Sequence, residues 1–153
     1  MKTDLTQIPV ERLERSIFLV RGHKVMLDRD LGELYGVETR ELNQSVRRNR
    51  ERFPTDFMFE LTRDEIGGIS QFVTSSNLKF SKRVSAFTEQ GVAMLSSVLR
   101  SKRAIAVNVE IMRTFVRLRE LLTSNAELPR RLDELEQRYD RNSKSYLTQY
   151  VSS

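Results

Sequence analysis

The sequence predicts an α+β fold, mostly helical, with a small antiparallel sheet and a helical C-terminal extension. Three observations predict it. Two compact apolar runs, Ile17-Phe18-Leu19-Val20 and Lys24-Val25-Met26-Leu27, flank a turn-like Arg21-Gly22-His23, as in a β-hairpin. Apolar residues elsewhere recur at steps of three and four, most plainly Ala104, Val107, Ile111, Phe115, Leu118 and Leu122. Ser, Thr and Asp stand just before such stretches, and glycine or proline just after them, as helix starts and stops require.

Taken in order, residues 1–16 are polar with scattered charge and read as an N-terminal arm or a short helix. The domain itself spans residues 17–122, and residues 123–153 form the extension. After the hairpin, Asp28 is placed to cap a helix carrying Leu31, Leu34 and Tyr35 on one face. Gly36 is placed for a left-handed C-cap, and Gly32 gives the small residue that two close helices need. Thr39 can cap a second helix that runs to Phe53, where Pro54 stops it. The run Phe57–Leu61 reads as a strand. Thr62 caps a short helix ended by Gly67-Gly68. Phe72-Val73-Thr74 and Val84–Phe87 can pair across a basic loop, and Thr88 caps a helix that reaches Leu99.

Composition narrows the chemistry. The chain has 153 residues, a net charge of +5 and a sequence pI near 9.8, a balance that suits a polyanionic partner. Residues 61–122 hold ten Lys/Arg against five Asp/Glu, while the segments on either side are each neutral. There is no cysteine, which removes disulfides, thiol catalysis and thiolate metal sites. A lone histidine, His23, cannot build a histidine-rich zinc site and reads as a surface residue rather than one half of an acid–base pair with Asp28 or Asp30. The carboxylates are dispersed, and there is no nucleophile elbow or phosphate loop, so no enzyme activity, metal or cofactor is expected. No apolar run reaches membrane-spanning length, and the first residues lack a signal-peptide core; a cytoplasmic protein is the expectation.

The functional signal is the stretch Leu27–Phe53, two short helices around a glycine turn. Arg40, Asn43, Gln44 and Arg47 lie near the start of the second helix, opposite Leu42 and Val46. Arginine can bond guanine twice, and asparagine or glutamine can do the same to adenine, so these four are the base-reading candidates of a helix-turn-helix. Arg48, Arg50 and Arg52 suit phosphates. Ser45 departs from the usual apolar position, with Val46 beside it as a substitute. A solvated arginine face on an amphipathic helix accounts for the pattern equally well. Lys79, Lys82 and Arg83 could form a wing on the backbone; a solvated loop tip is the simpler local reading, and adjacency to the second helix would favour the wing. Arg100, Lys102 and Arg103 form a further basic junction.

The stripe at residues 104–122 is most simply core. A second, heptad-like stripe, Leu128, Leu132, Leu135, Tyr139 and Tyr146, has Asn142 at the expected step. It suggests pairing with another subunit, and a homodimer through residues 104–146 would suit two DNA half-sites.

In combination, LYGVET, LNQ-V-RN, RFP-DF-F-LT and AFTEQGVAML, in that order, resemble the ORF-six N-terminal domain family over about residues 17–122. That family is grouped with the KilA-N and Bro-N-like domains of phages, prophages and large DNA viruses. The resemblance implies a double-stranded-DNA-binding regulator of the antirepressor type, in the cytoplasm of a bacterial or phage-infected cell. Within it, Phe57, Phe59 and the AFTEQG run read as structural. A second reading is a protein-interaction module that binds a repressor or other regulator through its C-terminal helices.

Overall fold

A computed structural model of the chain describes residues 8–71, 78 and 81–123. The expected strand at 72–74, Lys79 and the stripe at 128–146 lie outside the described residues. The fold is α+β. Helix α1 (Val10–Arg15) precedes strands β1 (Ile17–Val20) and β2 (His23–Leu27), then helices α2 (Asp28–Tyr35) and α3 (Thr39–Arg48). Strand β3 (Met58–Glu60), α4 (Arg63–Ser70), β4 (Ser85–Thr88), α5 (Glu89–Val98) and α6 (Lys102–Thr123) follow. The arm is thus helical from Val10, and its Leu13 is buried in the main core.

The four strands form one antiparallel sheet in the order β1-β2-β4-β3. Its two faces serve two cores. Ile17, Met26 and Phe87 join α2, α3, α5 and α6, while Phe18, Val25, Leu27 and Ala86 pack with Leu61, Ile66, Ile69, Leu78 and Val84. Burial on both faces explains why IFLV and VML are continuous apolar runs rather than alternating ones, since alternate side chains point to opposite faces. The hairpin turn places both Arg21 and Gly22 at positive φ, 54° and 80°, which matches the twist of the paired strands. Arg21 then holds the hairpin to α4: its guanidinium donates twice to Glu65, at 2.8 and 3.0 Å, and lies 4.4 Å from the Phe59 ring centre. Burial works against the Glu65 charge, but Arg21 and the Thr62 N–H outweigh it and hold the carboxyl below its usual range.

The strands read at Phe57–Leu61 and Val84–Phe87 run Met58–Glu60 and Ser85–Thr88, and α5 ends at Val98 rather than Leu99; four further boundaries differ from the sequence reading, each for a local reason. The N-cap of α2 is Leu27, and Asp28 is the first helical residue, buried because its carboxylate serves other elements. Glu38, not Thr39, caps α3, and its N–H donates to Glu41 at 3.4 Å. Helix α3 ends at Arg48 rather than Phe53. The Asn49 side chain donates to the Ser45 carbonyl at 2.9 Å, and a single 3-10 turn (Arg50–Arg52) carries the chain to Pro54. Gly67 and Gly68 lie inside α4, held by the capping box in which Thr62 and Glu65 exchange bonds of 2.7 and 3.2 Å.

In α6, Ala104, Val107, Ile111 and Phe115 are fully buried in the protein's own core. That stripe is therefore not available as a face for another subunit. Asn108 ties the helix in place: the Tyr35 hydroxyl donates to its side-chain oxygen, and its nitrogen donates to the Val92 carbonyl at 2.8 Å. Burial pushes the Tyr35 phenol up, which keeps it neutral and a donor.

Candidate functional site

The site is built on α2 and α3. Gly36 ends α2 in the left-handed region, at φ 79°, and its N–H and that of Val37 both reach the Gly32 carbonyl at 2.9 Å. At Gly32 the helices touch: a Cβ there would lie 2.9 Å from the Val37 carbonyl oxygen. Arg103 covers the turn. Its Nε donates to the Leu34 carbonyl at 3.0 Å and lies 3.1 Å from where a Gly36 side chain would begin. A cation at the C-terminal end of α2 is also favoured by the helix dipole. Arg103, expected to contact phosphate, thus has a defined structural task.

The second helix buries Leu42 and Val46 and exposes Arg40, Gln44, Arg47 and Arg48; Ser45 is half-buried, and Val46 fills the apolar position beside it. Arg40 pairs with Glu38 at 3.2 Å, with both side chains largely solvated, so the pair adds little rigidity. Asn43 differs from its three companions. It is half-buried, and its side-chain nitrogen donates to Asp28 Oδ2 at 2.9 Å. That same oxygen accepts the Ser85 N–H at 3.2 Å, while Oδ1 accepts the Arg29 N–H at 2.7 Å. Asp28 itself is only 2% exposed. One buried carboxylate therefore joins the start of α2, the middle of α3 and the start of β4.

Lys82 and Arg83, both exposed, lie three and two residues before Ser85, whose N–H ties the start of β4 to the carboxylate that Asn43 of α3 also bonds. Arg83 lies 3.9 Å from Glu60, a solvated pair. Arg52 donates to the Ser97 hydroxyl at 3.1 Å and Arg100 to the Ser97 carbonyl at 3.2 Å. Residues 52 and 100 thus meet at the end of α5. Arg50 and Lys102 are exposed. Among the described residues no group of three or more His, Cys, Asp or Glu is arranged to hold a metal ion, and no helix is long and apolar enough to cross a membrane.

The motif AFTEQG is structural. Phe87 is fully buried, and Thr88 caps α5 while its hydroxyl donates to the carbonyls of Asp56 and Phe57. Gly91 gives the Phe57 carbonyl room to approach. These contacts lock the segment after α3 to the sheet. Over residues 15–98 the chain matches the ORF6N domain. The chain belongs to the ORF6N domain family. Membership puts it in a phage-type regulatory family. Comparison with curated proteins and with solved structures finds no match. The ORF6N match ends in α5, whereas α6 completes the main core, so the folded unit extends past the matched residues.

One titration in this region has a large expected effect. Burial, and then the neighbouring Glu33, raise the Asp30 carboxyl from 3.8 to about 6. The folded chain therefore holds this proton more tightly than the unfolded chain. The contribution of Asp30 to stability is greatest below about pH 4 and falls as pH rises to about 6, by on the order of 2–3 kcal/mol. Asp30→Asn removes that dependence. Urea unfolding should find the variant gaining on the parent between those pH values and more stable than it at pH 7.

Proposed function

We propose that this ORF6N chain binds double-stranded DNA through α3 and regulates transcription as a phage or prophage regulator of the antirepressor type. In this reading α2, the Gly36 turn and α3 act as a helix-turn-helix. The observation that carries it is the exposed row Arg40, Gln44 and Arg47 on α3, beside which the Asp28 junction holds the strand that follows Lys82 and Arg83. Arg40, Gln44 and Arg47 have the bonding geometry to read base edges. Arg48, Lys82, Arg83 and the Arg52–Arg100 flank are suited to phosphates, with release of counterions on binding.

The test is a salt titration of binding joined to selection from random DNA. Arg47→Ala and Gln44→Ala should each weaken the selected site by roughly 1–3 kcal/mol and relax preference at one position. Arg48→Ala or Lys82→Ala should weaken all sequences alike and lower the salt slope by about 1. Unchanged affinity and preference in both the Arg47 and Gln44 variants would overturn base reading. A palindromic selected site would report two copies on the DNA. The second reading, a module that binds a repressor or other regulator, draws on the apolar residues that α6 leaves exposed; binding to such a protein without any retardation of DNA would favour it.

A further inference from the structure

Helix α6 carries two apolar stripes: the core buries one, and of the other it takes only Met112, which packs partly against it. The other consists of Ile105, Val109, Met112 and Val116, at steps of four, three and four. Ile105, Val109 and Val116 are 48%, 43% and 42% exposed, and together with Val10 they are the large apolar side chains left exposed among the described residues. Met112 and Val116 also line an open groove with Arg113, Arg117 and Glu120. Within that flank Arg117 Nε is buried and has no hydrogen-bond partner among the described residues.

The sequence beyond α6 repeats the same spacing. Leu128, Leu132, Leu135 and Tyr139 are followed by Asn142 and Tyr146, again at steps of four and three. We propose that residues 128–146 fold back antiparallel along α6 and cover the second stripe. Reach and register agree. A turn near residue 126 brings Leu135, Tyr139, Asn142 and Tyr146 level, to within a residue, with Val116, Met112, Val109 and Ile105. The same register sets Glu136 and Asp140 against the flank that holds Arg113 and Arg117, so the charges are complementary.

A second copy is the weaker occupant. Four side chains, none more than half exposed, fall far short of the roughly 800 Å² per partner that a stable dimer buries. A segment tethered to the end of α6 needs less contact, because its effective concentration is on the order of millimolar. The inference does not depend on DNA binding.

The absence of cysteine makes a direct test simple in the full chain. Met112→Cys with Tyr139→Cys, treated with a short bis-maleimide at low protein concentration, should give a cross-linked monomer. Met112→Cys with Leu128→Cys should not, since residue 128 would lie near the far end of α6. Adding Val109→Glu and Val116→Glu to the first pair should slow its cross-linking by roughly tenfold, and circular dichroism should show the domain still folded because both sites are exposed. Covalent dimers from the first pair would assign the stripe to a second copy. Equal reaction of the two pairs, or none, would overturn the proposal outright.

Discussion

Gly91→Ala should cost the domain about 3 kcal/mol or more, read by urea unfolding followed by circular dichroism. An alanine Cβ at this position would lie 2.0 Å from the Phe57 carbonyl oxygen and 2.9 Å from its carbon. Those are backbone atoms, so no side-chain rotation relieves the clash. Nor can the carbonyl retreat cheaply. It accepts the Thr88 N–H at 3.0 Å and the Thr88 hydroxyl at 3.2 Å, which fix β4 and the start of α5. Either α5 shifts away from the sheet, or the segment before β3 loses both bonds. Gly67→Ala is the matched control. It lies inside α4, and a Cβ there meets nothing within 4 Å. Removing a flexible residue from a helix with room for the methyl should stabilise by about 0.5–1 kcal/mol. One substitution thus takes opposite signs at two helical glycines, and the neighbouring carbonyl decides which. A small loss at Gly91 would mean that Phe57 yields, and the account of this junction would be wrong.

The same contrast marks what was legible in the sequence. The hairpin, the Gly36 turn, the close approach at Gly32 and the Thr62 and Thr88 caps were readable because each depends on residues a few positions apart. Local reading failed where a distant partner decides. Gly67-Gly68 reads as a helix stop, yet the capping box and the packing of Ile66 and Ile69 carry α4 through it. Asn49 ends α3 early by bonding back to Ser45, a competition between side chain and backbone that the regular spacing of Leu42, Val46 and Asn49 conceals. In the candidate site, Arg40, Gln44 and Arg47 were placed correctly on the exposed face by periodicity alone. Arg103 was read only as positive charge, since nothing local reveals the Leu34 carbonyl 69 positions away. On α6 the spacing marks the core stripe, but apolar type alone does not show that Ile105, Val109 and Val116 beside it stay exposed.

Asn43 is where the two kinds of reading meet, and Asp28 provides the means to separate them. On the α3 wheel Asn43 falls between the buried edge marked by Val46 and the exposed edge marked by Arg47, so spacing alone permits either role. Asp28→Ala should cost about 2–4 kcal/mol, because it orphans the Asn43 side chain and the Ser85 N–H together in a site from which water is largely excluded. Asn43→Ala should cost less, about 1 kcal/mol, since Asp28 keeps its bonds to Ser85 and Arg29. A double-mutant cycle should return a coupling of about 0.5–2 kcal/mol. A coupling near zero would rule the bond out and return Asn43 to the row of candidate base readers. With the bond in place, Asn43 ties α3 through Asp28 to the strand following Lys82 and Arg83. Under the proposed DNA-binding role, its loss should weaken binding on all sequences together, whereas the loss of Gln44 or Arg47 should alter preference at single positions. Selection from random DNA with the Asn43→Ala protein separates these outcomes: an unchanged preferred site at reduced affinity marks the tie, and a preference changed at one base marks a reader.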